Sequence, residues 1–473
     1  MTTQKNTRTE YDSMGPMEVP EQAYYGASTM RAVLNFPISN LRLPRSFIRA
    51  LCLIKQAAAK VNTDLRLLDS SLGKAIEKAA QRTADGELDN HFVVDIFQTG
   101  SGTSTNMNAN EVIANLGSEL LDGKRGSRLI HPNDHVNISQ SSNDVIPSAL
   151  HVAALMGLKE ELIPALTTLR EALLKKSQEF WPVIKTGRTH LQDATPIRLG
   201  QEFLGYAGQI ENGLARLGRT QIDLGHIALG GTAVGTGINP TPKFAKLACQ
   251  LLSKTTGCTV TETSNHFHAQ STLDAVVEAS GSLRTIAISL YKIANDIRWM
   301  GTGPRAGLGE LALPEVQPGS SIMPGKINPV IPESIIQVVA QVVGNDTTIA
   351  LCGQQSFFEL NTALPVAAYN LLQSISLLAT SSSNLTNQCI LGLRATPKGP
   401  EMVEQGLMLA TTLAPHIGYD RAADIAKKAS KSGATIREVA REHTSFTEDE
   451  LTATLDPARM TEPNMDDTHS GMG

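Results

Sequence analysis

Residues 314–333, PEVQPGSSIMPGKINPVIPE, hold the densest set of chemically able side chains in the chain. Ser320 and Ser321 supply hydroxyls, Lys326 a cation and Asn328 an amide. A hydroxyl beside a cation can act as a nucleophile or a base, because the positive charge stabilises the alkoxide. Recurrent proline and glycine forbid helix or strand here and predict a long, exposed, shaped loop. Beside a strongly apolar helix, such a loop is a candidate lid. Glu333 falls in the first turn of that helix, where the dipole favours a carboxylate.

Three more polar clusters stand against an apolar background. QTGSGTSTNMNANEV (98–112) holds Ser101 and Thr103 among glycines that let backbone N–H groups approach an anion. No lysine follows the glycines, so it is not a P-loop. Its plainer reading is a capped turn before a helix. HPNDHVNISQSSNDVIP (131–147) carries His131, Asn133, Asp134, Ser141, Ser142 and Asn143. Ser141 to Asp144 can simply begin a helix, or can present donors at that helix's positive end to a carboxylate. KTGRTHLQDATPIRLGQE (185–202) places Thr189 and His190 in a short polar break between helical stretches. Imidazole can carry or accept a proton near neutral pH, although a lone histidine is more often structural. The pairs His131/His135 and His266/His268 lack a clear set of further ligands, so surface or structural roles are expected rather than a metal.

The elements that must position these groups read as helices. Leu162, Leu166, Leu169 and Leu173 form one stripe over 159–176, with Pro164 marking a first turn or a kink. Ile335, Val338, Val339, Val342 and Val343 repeat the pattern over 333–343, and Gly344-Asn345-Asp346 is expected to stop it. Near the C-terminus, YDRAADIAKKASKSGATIREVA reads as two short helices. Asp420 is the expected N-cap of the first and Gly433 its stop, and Thr435 with Glu438 forms a capping box for the second. The tail after Pro463 is polar and expected to be mobile. The coarse division is a mixed, mostly helical N-terminal domain (1–142), a central long-helix domain (143–365) and a small helical C-terminal domain (366–473).

Length and composition fit this plan. A chain of 473 residues exceeds what one core usually organises. Aromatics are only 4%, which favours helix packing over a β-sandwich, and a net charge of −5 without a basic stripe gives nucleic acid no footing. The five cysteines are widely spaced, with no CxxC pair, which argues against an iron–sulfur cluster and for a reducing cytoplasm. The N-terminus lacks an apolar signal core, and apolar runs elsewhere break short of membrane-spanning length, so no membrane role is expected.

GSSIMPGKINP (319–329) resembles the G-S-S-x-M-P-x-K-x-N signature of the fumarase/aspartase superfamily. GSGTSTNMN, HPND, QSSND and GRTHLQD, earlier in the chain, fit the superfamily in the expected order; the resemblance runs from about YYGAST (24–29) into the C-terminal helices, and within the superfamily the chain looks like the iron-independent fumarases. The resemblance implies a mainly α, three-domain fold with a central long-helix bundle. It further implies a homotetramer whose active sites are shared between three subunits, a small dicarboxylate substrate, and neither metal nor cofactor. Residue by residue, it makes Ser320 the base that takes a proton next to a carboxylate. Lys326 and Asn328 become the groups that bind the resulting aci-carboxylate, and His190, oriented by Glu333, the handler of water. Ser101, Thr103, Ser141, Ser142, Asn143, Thr189 and Ser321, with Lys326 and Asn328, become substrate donors. His131, Asn133 and Asp134 become a second dicarboxylate site.

Two other readings stay in view. An aspartate ammonia-lyase would share NPVIPE and HPNDHVN, yet that family usually has Gln where this chain has His190 and Ala in place of Gly325. A non-catalytic structural member of the superfamily is the other, but Ser320, Lys326 and His190 are all retained.

Overall fold

The structure is a computed structural model that describes residues 6–463; the tail after Pro463 lies outside the described residues. Helices account for 62% of the described residues, and the strands among them form only two-stranded ribbons. Two compact units emerge. The first comprises residues up to 165 with 213–287 and 338–380, and the second 166–212, 288–337 and 381 onward.

Four long helices dominate: Leu199–Leu224, Asp274–Met300, Val330–Gly353 and Leu364–Gln388. In the first unit polar bonds tie them in series. Thr220 Oγ1 donates to Ser282 Oγ at 3.3 Å, Ser280 Oγ to Asp346 at 2.7 Å, and Asn345 Nδ2 to Ser374 Oγ at 3.0 Å. These bonds also explain a departure from the sequence reading. Gly344-Asn345-Asp346 does not stop the 333–343 helix, which runs to Gly353. Asn345 and Asp346 turn inward to partners on neighbouring helices, so residues that favour turns in isolation are retained in a helix by tertiary bonds. The longer helix is apolar and long enough, by length and composition, to cross a membrane, contrary to the expectation that no run reached that length. Its buried Asp346, bonded to Ser280 and Arg284, is what a protein–protein packing face carries.

The leucine stripe holds: Leu162, Leu166, Leu169 and Leu173 are all fully buried. The irregularity expected at Pro164 is a π-helical turn, Leu158–Leu162, leading into the Ile163–Glu179 helix. In the second unit Leu409, Leu413, Ile425, Ile436, Leu451 and Leu455 close a small separate core. The Tyr419–Ser432 helix ends at Gly433 with φ +73°, and Thr435 and Glu438 form the expected reciprocal cap. Asp420 is not an N-cap: Gly418 occupies that position, and Asp420 lies in the first turn.

Candidate active site

In the first unit the 98–112 and 131–147 clusters meet. Gly102 precedes the Thr103–Leu120 helix with φ +73°, and a Cβ there would stand 2.8 Å from Ile146, so only glycine lets this turn lie against the Ser142–Gly157 helix. Ser101 Oγ and Thr103 Oγ1 are 2.9 Å apart, leaving hydroxyl valence for a ligand. One turn on, Asn106 Nδ2 donates to Ser142 Oγ and to Asn137 Oδ1, both at 3.1 Å. The same Asn137 oxygen receives Asn110 Nδ2 at 3.2 Å and Lys55 Nζ at 2.9 Å. Lys55 is fully buried, and burial pulls its ammonium down to about 7 although Asp144 opposes the shift.

Ser141 caps the Ser142–Gly157 helix. Its Oγ accepts the Asn143 N–H at 3.3 Å, and the Asp144 carboxylate accepts the Ser141 N–H at 2.9 Å. The second Asp144 oxygen accepts the N–H groups of Gly230 (2.9 Å) and Thr232 (3.0 Å), while Asn143 Nδ2 donates to Ala233 O at 2.8 Å. A glycine-rich segment, GGTAVGTG (230–237), is thereby fastened over the helix's positive end. The sequence reading passed over it, although its glycine density was the same kind of signal that marked 98–112. A cavity of about 350 Å³ opens here, lined by Asn133, Asp134, Asn137, Ser141, Thr232 and Asn239 among others.

His131 caps a short π-helical turn, its Nδ1 accepting from the N–H groups of Asn133 (3.3 Å) and Asp134 (3.1 Å). Burial and the Arg128 guanidinium against its ring hold it below the ordinary histidine range. Asn133 and Asp134 are exposed. The other histidine pair has protein partners: His266 Nε2 lies 3.2 Å from Leu229 O, and His268 Nε2 2.9 Å from Asp274.

In the second unit Thr189 and His190 do not sit in a mere break between helices. Strands Ile184–Thr189 and Gln192–Arg198 pair antiparallel, with Thr189 opposite Gln192, so His190 and Leu191 are the two residues of a tight hairpin tip. Both have positive φ, +56° and +60°. A two-residue hairpin needs that twist, but usually takes it from Asn or Gly. Thr189 and His190 are exposed at the tip.

The 313–329 loop is irregular, as its composition predicts, and it is pinched shut at its base. A Cβ on Gly319 would lie 2.2 Å from the Lys326 carbonyl oxygen and 2.9 Å from the Asn328 nitrogen. Asn328 Nδ2 donates to Gly319 O across the pinch. Within the loop, Met323 to Lys326 form a turn with Gly325 at φ +77°. Just before that turn, Ser320 Oγ accepts the N–H groups of Ile322 (3.2 Å) and Met323 (2.9 Å). Lys326 and Ser321 are exposed, and Glu333 stands in the first turn of the Val330–Gly353 helix. Within the chain no hydrogen bond or ion pair among the described residues joins His190 to Glu333.

In the first unit hydroxyl and amide donors stand at a helix N-terminus; in the second an exposed imidazole stands at a hairpin tip and a serine hydroxyl accepts two N–H groups. Among known proteins, a family described as "Lyase" matches residues 15–344, so the chain belongs to a lyase family, and one described as "Fumarase C C-terminus" matches residues 409–462. A class II fumarate hydratase of Bradyrhizobium diazoefficiens is 50% identical over 97% of this chain and 97% of its own length. A recombinant class II fumarase from Schistosoma mansoni superposes with a TM-score of 0.93 at 38% identity, over 96% of this chain and 99% of that one. A Brucella melitensis protein described as "fumarate lyase:delta crystallin" gives 0.93 at 46% identity, over 97% and 100%. The chain belongs to the class II fumarate hydratase family.

Proposed function

We propose that the protein is a fumarate hydratase, a hydro-lyase that interconverts fumarate and L-malate by anti addition and elimination of water. The observation that carries the chemistry is Ser320 Oγ under the N–H groups of Ile322 and Met323. A serine hydroxyl is a poor base, and two fixed donors beside a lysine in the same loop are what its alkoxide needs. Ser320 takes the proton from the carbon next to a carboxylate. Lys326 and Asn328 then bind the doubly charged aci-carboxylate that develops. His190 delivers or receives water, with Glu333 holding its tautomer. Ser101, Thr103, Ser141, Ser142, Asn143, Thr189 and Ser321 bind the substrate carboxylates, and His131, Asn133 and Asp134 form a second dicarboxylate site.

The working enzyme is a homotetramer in which each active site draws on three subunits, Glu333 meeting the His190 of another copy. Supporting this is the Val330–Gly353 helix, which is strongly apolar yet leaves Val343 and Leu351 exposed in the single chain. The three-domain division at 142/143 and 365/366 belongs to the same reading. So does a cytoplasmic setting, supported by five buried free thiols.

The test is ultraviolet absorbance with L-malate in the presence of a chelator, with L-aspartate in parallel. Fumarate formed from malate alone is the expected result. Fumarate from aspartate alone transfers the assignment to an ammonia-lyase, and silence with both overturns the enzymatic reading.

A further inference from the structure

Glu310 has no place in the chemistry above, yet it is among the most completely buried charged residues, 1% exposed. Its backbone is fixed on both sides. Its carbonyl accepts the Thr396 N–H at 3.0 Å, and the next two residues, Leu311–Ala312, pair with Arg394–Ala395. The preceding Gly309 has φ +59°, and a Cβ there would stand 2.8 Å from Pro304 O. The carboxylate is therefore a fixed post.

What hangs on that post is the base of the His190 hairpin. Arg188 Nη1 donates to Glu310 Oε2 at 3.1 Å and Nη2 lies 2.9 Å from Oε1, close enough for charge attraction though poorly aligned for a second hydrogen bond. Lys185 Nζ lies 3.3 Å from the same carboxylate and donates to Glu202 at 2.9 Å. In a regular strand residues 185 and 188 point to opposite faces. Here the pairing register shifts between Thr186 and Arg188, and a Cβ on Gly187 would stand 2.5 Å from Thr195 O. The extra residue of this bulge is on the partner strand, where Ala194 and Thr195 face Gly187, and the ladder is locally broken between the two cations, both of which reach Glu310.

The hairpin depends on this grip. His190 and Leu191 both hold positive φ without glycine or asparagine, a conformation that persists only where the surroundings impose it. Arg188 and Leu191 also border a cavity of about 530 Å³, so one flank of the hairpin lacks packing. We infer that Glu310 is a positioning residue for His190, clamping Arg188 and Lys185 so that the strained tip presents its imidazole in one place. The inference rests on the role given to His190 above.

The experiment is a double-mutant cycle on the full-length enzyme, with oligomer mass and melting temperature checked for each variant. Glu310→Gln keeps the shape and removes the charge; kcat is expected to fall about 10- to 100-fold with KM within threefold. Arg188→Lys, which keeps a charge but replaces the guanidinium with a shorter point charge, is expected to lose less in the same direction. In a His190→Asn background neither substitution should lower the residual kcat further. Additive losses there would mean Glu310 acts elsewhere and would overturn the inference, as would E310Q with kcat within twofold of the unaltered enzyme. A His190→Asn variant with undiminished activity would instead remove the role assigned to His190. Should E310Q fail to assemble, the R188K cycle decides alone.

Discussion

Replacing Gly319 with alanine adds one methyl group where the two arms of the Ser320 loop touch. The new Cβ would lie 2.2 Å from the Lys326 carbonyl oxygen and 2.9 Å from the Asn328 nitrogen, whereas ordinary contact begins at 3.4 Å. Both neighbours are backbone, so neither can swing aside as a side-chain tip would. The arms must part by about 1.2 Å, and the part that moves carries Lys326, Asn328 and the two N–H groups over Ser320. A displacement of ~1 Å at reacting groups can cost on the order of 100-fold in rate. Stability should hardly change, because residues 321–327 are exposed and little core packing is at stake. The assay is fumarate formation from L-malate by absorbance, with melting temperature measured alongside. The expected outcome is kcat down about 100-fold with melting within a few degrees. Gly325→Ala is the control: its φ of +77° strains a side chain, but nothing lies within 4 Å of the added Cβ. Strain of roughly 1 kcal/mol without displacement should cost less than tenfold. G319A with kcat within threefold of the unaltered enzyme, or G325A worse than G319A, would refute the idea that the pinch places the catalytic groups.

Lys55 makes a pH prediction. Its folded-state ammonium lies near 7 against 10.5 in the open chain, so between these values the unfolded state binds the extra proton and stability rises with pH. Between pH 7 and 9 the gain is about 2 kcal/mol, and melting curves of Lys55→Met at fixed concentration should lack that increment; equal pH slopes would exclude it. Asn106→Ala removes the donor to Ser142 and should raise KM about tenfold with a smaller effect on kcat, as substrate-concentration curves will report. Asp144→Asn turns a donor toward two N–H groups or leaves them unpaired; a cost of roughly 3 kcal/mol should free the 230–239 segment, seen as faster proteolytic cleavage there.

Much of this protein was legible from one sequence wherever the deciding interaction is local. Proline and glycine around GSSIMPGK exclude regular structure whatever surrounds them. Thr435 and Glu438 cap each other across three residues, Ser141 and Asp144 do the same, and four leucines at helical spacing must share a face. Such features are settled within one or two turns of chain, where residue type outweighs context. Tertiary structure decided the rest. Asn345 and Asp346 spell a turn, yet partners 29 and 66 residues away keep them helical. His190 sits at the tip of a hairpin whose strands pair Thr189 with Gln192, and Arg188, two residues earlier, donates to a glutamate 122 positions downstream. Asp144 fastens a glycine-rich segment 86 and 88 residues further on, and Lys55 reaches Asn137 across 82. Local preferences amount to tenths of a kcal/mol per residue, while leaving a buried charge or a backbone N–H unpaired costs several times more. Where the two compete, the distant partner wins, and no local pattern names it.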